Sequence, residues 1–247
     1  MPLRHWISTT TYSKAYLAVA WQTRGKLKDH ERGGFAQFVY LTMSAHLEGV
    51  IAELLRKRCH SLRHMVRWET LPPVQYSKGE QKHVCDVKPI YESLLRIVGA
   101  LEDESHTATL NKLIELYNVA FSPPLRDIVG NDLHDDLLAL ASLRNLFAHG
   151  RDFFLEFEDP FDVSAYASLD SNPIQRPAIR LYRAGIVKDL NITGQTHGEF
   201  QSAFYSDEAL LYFYRAVERI EDKLSQNITF LPEKGFWTLP RLPRLET

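Results

Sequence analysis

Arg144, Asn145 and His149 stand together in LRNLFAHG, residues 143 to 150, at the end of a leucine-rich stretch that otherwise reads as buried helix. Imidazole titrates near neutral pH and can carry a proton in either direction. Guanidinium presents a planar fork of donors matched to an oxyanion. A carboxamide can fix the orientation of a neighbour or hold an oxygen. These are the side chains for moving a proton beside a crowded anionic group.

Their spacing sets a geometric condition. At 100° per residue Arg144 falls within the apolar arc formed by Leu133, Leu137, Leu140, Ala141, Phe147 and Ala148. Asn145 and His149 are four apart, so their side chains can touch. Arg144 and His149 are roughly 140° apart and about 7.5 Å apart along the axis, so one straight helix brings them together poorly. By chance, R-x4-H is expected about 0.7 times in this chain, and about 0.001 times once Asn after the Arg and Gly after the His are required.

An arginine in an apolar arc needs a partner, because an uncompensated charge there is costly. The first long predicted helix supplies one: Glu48 lies among Leu41, Ala45, Ala52 and Leu55, which spacing places on one apolar face. A Glu48 to Arg144 contact is therefore expected, either as a structural ion pair or as support for a working arginine.

The elements that must position these residues are mostly helices. Apolar spacing predicts a long helix from Phe35 to about His60, with Phe38, Leu41, Ala45, Ala52 and Leu55 inward and Leu47, Ile51 and Leu54 widening the face. Further helices are expected over 89–102, 108–120 and 132–149, the last with an acidic first turn and a terminal Gly150. A final one runs over 207–226, with Ser206 as its cap. Residues 61–86 read as loop. FFLEFE, AIRLYRAGIV and GEFQSAFY read as strands of a small β-rich insertion at about 151–204.

The expected fold is thus mainly α, a bundle of about five helices with a β-rich insertion before the last. It occupies 35–226, after a polar N-terminal extension (1–34) that ends in the linker-like KLKDHERGG, and before a proline-rich tail (227–247).

LRNLFAHG at the end of an apolar helix resembles the R-N-x3-H motif of HEPN domains, α-helical bundles found in bacterial toxins, antiphage defence proteins and CRISPR-associated ribonucleases. The layout is similar over 35–226: a long first helix, the motif closing a later one, and a final long helix. The resemblance implies a metal-independent endoribonuclease with no cofactor. In it a ribose 2′-hydroxyl attacks the adjacent phosphate, with Arg144, Asn145 and His149 as the catalytic set; Glu48, placed by spacing alone, would support the arginine. It also implies a homodimer in which two motifs face each other, which answers the 140° separation. A cognate antitoxin or defence partner would fit that role. One HEPN subgroup carries a tyrosine two positions past the histidine; Arg151 stands there in this chain, so regulation by nucleotide transfer to that tyrosine is not expected. A non-catalytic HEPN-like module binding RNA, nucleotide or protein is the other class of reading.

Two further groupings matter. RKRCHSLRHMVR, residues 56 to 67, offers Arg56, Lys57, Arg58, Arg63 and Arg67 to RNA phosphates, with Arg151 beyond the motif, or else is a helix end decorated with cations. His60, His64, His83 and Cys85 could complete a zinc tetrad, in an unusual ligand order. The aromatic run at Tyr212, Phe213 and Tyr214 is expected in the core or at a dimer surface.

The chain has no Gly-rich phosphate loop, G-x-S-x-G elbow or H-E-x-x-H motif. A net charge of −2 gives no global pull toward nucleic acid or lipid. Two cysteines make no disulfide framework, and the early apolar run Ala15 to Trp21 is too short to span a bilayer. A soluble cytoplasmic protein without membrane contact is the expectation.

Overall fold

The computed structural model describes residues 10–65, 74–78, 81–85, 88–149, 175–187 and 202–227. In chain order the elements are α1 (Thr10–Thr23), a single 3-10 turn (Arg24–Lys26), α2 (Asp29–Met65), β1 (Val74–Lys78), β2 (Gln81–Cys85), α3 (Lys88–Ser105), α4 (Leu110–Ala120), α5 (Leu125–Val129), α6 (Asn131–Ala148), α7 (Gln175–Arg183) and α8 (Asp207–Asn227). The fold is mainly helical. The sheet among the described residues is the antiparallel β1–β2 hairpin, with Val74 opposite Cys85 and Lys78 opposite Gln81.

α2 is the central element, 37 residues long, with α1, α3, α4, α6 and α8 packed around it. It begins before the expected Phe35: DHERGG of the expected linker forms its first turns, while Lys26 closes the 3-10 turn before it. The Glu31 carboxylate accepts the Lys28 N–H at 2.7 Å, satisfying a donor at the helix start as a capping-box acid does.

The inward face of α2 also differs from expectation. Leu47, Ile51, Leu54 and Leu55 are buried as expected, and Ala36, Val39, Tyr40, Met43 and Val50 join them, whereas Phe38 is 36% exposed and Ala45 is exposed. That set follows the 3–4–3–4 spacing of a helix packed on several neighbours at once. The rotation places Glu48 at the rim of the core instead of its middle.

Residues before Phe35 belong to the same core, since Leu17 and Trp21 of α1 are buried in it. Between Glu31 and Arg63, α2 is long and apolar enough to cross a membrane, but 56% of its most apolar window is buried inside the bundle.

Most of the expected β-rich insertion, FFLEFE included, lies outside the described residues, as do Gly150 and the 228–247 tail. The part that is described is helical: AIRLYR lies in α7. Ala178 and Leu181 are buried and Tyr182 packs beside them, so the apolar spacing is i, i+3, i+4 and the strand reading fails. Pro177 is tolerated because the first-turn N–H groups of a helix have no intrahelical acceptor. Of GEFQSAFY, residues 202–204 form a helical turn.

α8 starts as expected, with the Ser206 hydroxyl accepting the Ala209 N–H at 3.2 Å and Asp207 and Glu208 in the first turn. Phe213 and Tyr214 are core residues. Tyr40 joins the layers: its ring stacks on Phe147 at 5.6 Å and meets Phe213 edge-on at 5.7 Å, while its hydroxyl donates to the Phe204 carbonyl at 2.8 Å. Deeper still, His46 Nε2 of α2 and the Glu221 carboxylate of α8 form a buried hydrogen bond.

Candidate functional site

α6 carries the motif. Gly130, at φ 87°, lets the chain break after α5 and restart as α6, a conformation that other residues adopt at a cost. Leu137, Ala139, Leu140, Ala141, Leu143 and Leu146 then seat the helix in the core on more than one side. Leu133 and Phe147 are partly buried, and Ala148, expected in the arc, is exposed. The arc therefore ends before the motif does, and Arg144 and Asn145 lie at its margin.

There the expected contact is present. Arg144 Nε lies 3.5 Å from Glu48 Oε1, with side-chain exposures of 28% and 20%. Arg144 Nη1 also donates to Asn145 Oδ1 at 3.2 Å. The same Glu48 Oε1 accepts the Leu110 N–H at 3.1 Å, which opens α4. Burial pushes the Glu48 carboxyl above its ordinary range, and the Arg144 charge and Leu110 N–H offset this only in part. Three helices thus meet at one carboxylate.

His149 is set apart from this cluster. It is the residue after α6, with φ −100° and ψ −1°, and its side chain is exposed. The anticipated touch with Asn145 does not form: the Asn145 oxygen faces Arg144, and among the described residues no hydrogen bond or ion pair holds the His149 ring. The structure brings Glu48, Arg144 and Asn145 together and leaves the histidine in the open, about a turn further on.

The basic stretch on α2 is largely committed within the chain. Arg56 and Lys57 both pair with Glu53, Lys57 at 3.4 Å, and Arg63 pairs with Glu102 of α3. The Arg58 guanidinium sits 6.0 Å above the Phe121 ring. Lys57 is buried, and burial followed by the Arg56 charge lowers its ammonium below the usual lysine range. Arg67 and Arg151 lie outside the described residues. Of the four zinc candidates, His60 is exposed on α2, and the side chains of His64, His83 and Cys85 lie outside the described set.

Compared with known proteins, the chain matches no family model, no curated protein and no solved structure.

One cluster was not anticipated. Asp136, also on α6, is buried and accepts Arg180 Nε of α7 at 2.6 Å and the Tyr212 hydroxyl of α8 at 2.6 Å. Arg180 reaches Asp132 as well, at 3.4 Å. The readable signal was an acid among buried α6 positions. Its cationic partner is hidden from sequence because AIRLYR has strand-like chemistry. Of the two described cavities, neither includes Arg144, Asn145 or His149. One is an apolar niche lined by Leu143, Leu146, Phe147, Pro177 and Phe204; the other is a cleft of about 520 Å³ lined by Arg24, Arg32, Phe35, Asp207 and Glu208 among others.

Proposed function

We propose that this chain is a metal-independent endoribonuclease acting as a homodimer, with Arg144, Asn145 and His149 from two copies completing each site. The observation that carries the reading is that Arg144 is oriented without being buried. Its Nε faces Glu48, its Nη1 faces Asn145, and its Nη2 has no protein partner among the described residues. A held fork with an open end suits a phosphoryl oxygen.

In the proposed reaction an exposed His149 takes the proton from a ribose 2′-hydroxyl as that oxygen bonds to the adjacent phosphorus. The bond from phosphorus to the 5′-oxygen breaks, and the imidazolium just formed returns its proton to the leaving oxygen. The products are a 2′,3′-cyclic phosphate and a 5′-hydroxyl. Arg144 neutralises charge on the non-bridging oxygens. The openness of the motif is what a facing copy would close, and a role as toxin or antiphage effector follows from the HEPN resemblance.

A second reading has its own support. Glu48 takes part in both the Arg144 pair and the start of α4, so the arginine also serves the bundle, as it would in a non-catalytic module binding RNA, nucleotide or protein.

RNA incubated with chelator separates the two. Wild type should cut varied RNAs to cyclic-phosphate ends, and His149→Ala and Arg144→Ala should each lose about 100- to 1,000-fold in rate. Mixing the two inactive variants should restore part of the activity, because a mixed dimer retains one intact Arg144 facing one intact His149. Intact RNA with wild type, or variants that cut equally well, would refute the enzyme reading. No recovery on mixing would refute the shared site.

A further inference from the structure

We propose that Glu48 is the positioning residue of the motif, its Oε1 shared between the Leu110 N–H that opens α4 and the Nε–H of Arg144, so that the start of α4 aims the arginine. Its kinetic consequence rests on the ribonuclease reading above; its structural content does not.

Leu110 is the first residue of α4, and its N–H belongs to the set that no intrahelical carbonyl can reach. Thr109, at the cap position, makes no side-chain bond to that end, so an acid from another helix does the work. The positive end of α4 holds the carboxylate in return. Arg144 is then gripped from two directions, Nε by α2 and Nη1 by its own neighbour Asn145, and loses much of the rotamer freedom of an arginine at a core margin. Because the Leu110 hydrogen bond and the Arg144 ion pair converge on one oxygen, a shift of the α3–α4 turn, residues 106–109, reaches the guanidinium through a single atom. The turn is thereby a point from which the site can be adjusted without touching α6.

Three variants separate positioning from capping. Glu48→Ala should lower kcat for RNA cleavage about 100-fold with KM little changed, as a misaimed group does. Glu48→Gln, whose carbonyl oxygen can accept the Leu110 N–H and still face Arg144 Nε, should keep most of the rate. Thr109→Asp in the Glu48→Ala background supplies α4 with a new cap, and should return thermal stability without returning kcat. Recovery of kcat by Thr109→Asp, or wild-type kcat in Glu48→Ala, overturns the proposal.

A second readout needs no activity. The Arg144 Nε–H signal in nitrogen-resolved NMR, identified by its loss in Arg144→Lys, should be protected from solvent exchange in wild type and Glu48→Gln and unprotected in Glu48→Ala. Equal protection in all three also overturns the proposal. If wild type cuts no RNA, the ribonuclease reading falls, and the NMR comparison still decides the role of Glu48.

Discussion

α6 bears two arginine–carboxylate clusters about two turns apart, and they are built to different ends. At Asp136 the pair is closed: side-chain exposures are 9% for Arg180 and 6% for Asp136, the Nε to Oδ1 distance is 2.6 Å, and the Tyr212 hydroxyl adds a second donor to the same oxygen. At Arg144 the pair is looser and wetter, 28% and 20% exposed and 3.5 Å apart. In the first cluster the polar atoms are spent on one another and on joining α6, α7 and α8. In the second they are aligned and left partly open. Burial with full satisfaction fits a structural clamp, whereas orientation with exposure fits a group meant to meet something else.

The sharpest way to break this contrast is to remove one partner from each. Arg180→Ala leaves a buried Asp136 carboxylate with only Tyr212, and should cost about 3–5 kcal/mol of stability in urea unfolding. Arg144→Ala leaves Glu48 able to draw in water while keeping its Leu110 bond, and should cost under about 1 kcal/mol. Its main effect should fall on RNA. Equal losses of stability from the two variants would mean that the Arg144 pair is as structural as the other. The double change Arg180→Met with Asp136→Leu should lose less than Arg180→Ala alone, since no charge is then stranded.

How much of this could be read from sequence follows the kind of signal each residue carries. α3, α4, α6 and α8 were legible because apolar period, capping residues and Pro or Gly stops agreed with one another. The Glu48 to Arg144 contact was legible too, although both residues lie at the margins of their apolar faces and not in the middle as the spacing suggests. The face of α2 was not, because a helix packed on many sides buries a stripe too broad to be centred by eye. α7 was missed for a different reason: Ile179, Leu181 and Tyr182 have strand-like chemistry, and tertiary burial of Ala178 and Leu181 decides for the helix. With α7 went Arg180, and with Arg180 the meaning of Asp136. The shared Oε1 could not be read at all, since its second donor is a backbone N–H, which carries no sequence mark. The aromatic cap on the core, Tyr40 between Phe147 and Phe213, was likewise invisible until the α2 face was known.

The smallest expected effect is also the one that tests what kind of ion pair Glu48 makes. Burial raises its carboxyl, and the Arg144 charge and Leu110 N–H only partly bring it back. A carboxyl whose folded value lies above its unfolded value binds more protons when folded, so its contribution to stability falls as pH rises from the unfolded value through the folded one. The penalty is complete above the raised value and absent below the ordinary carboxylate range. Glu48→Gln has no such titration. Urea unfolding of both proteins across the acid range should therefore give nearly equal stabilities at the acid end, with the glutamine variant ahead toward neutral pH by a margin under about 1 kcal/mol. If wild type is instead the more stable at neutral pH, Arg144 outweighs burial, and the motif's ion pair belongs with the Asp136 clamp as part of the framework. If the glutamine variant leads, the ionised pair is kept at a net cost to folding. A cost borne at a partly exposed arginine, on a helix that already has a satisfied clamp about two turns away, sets this pair apart from the folding framework.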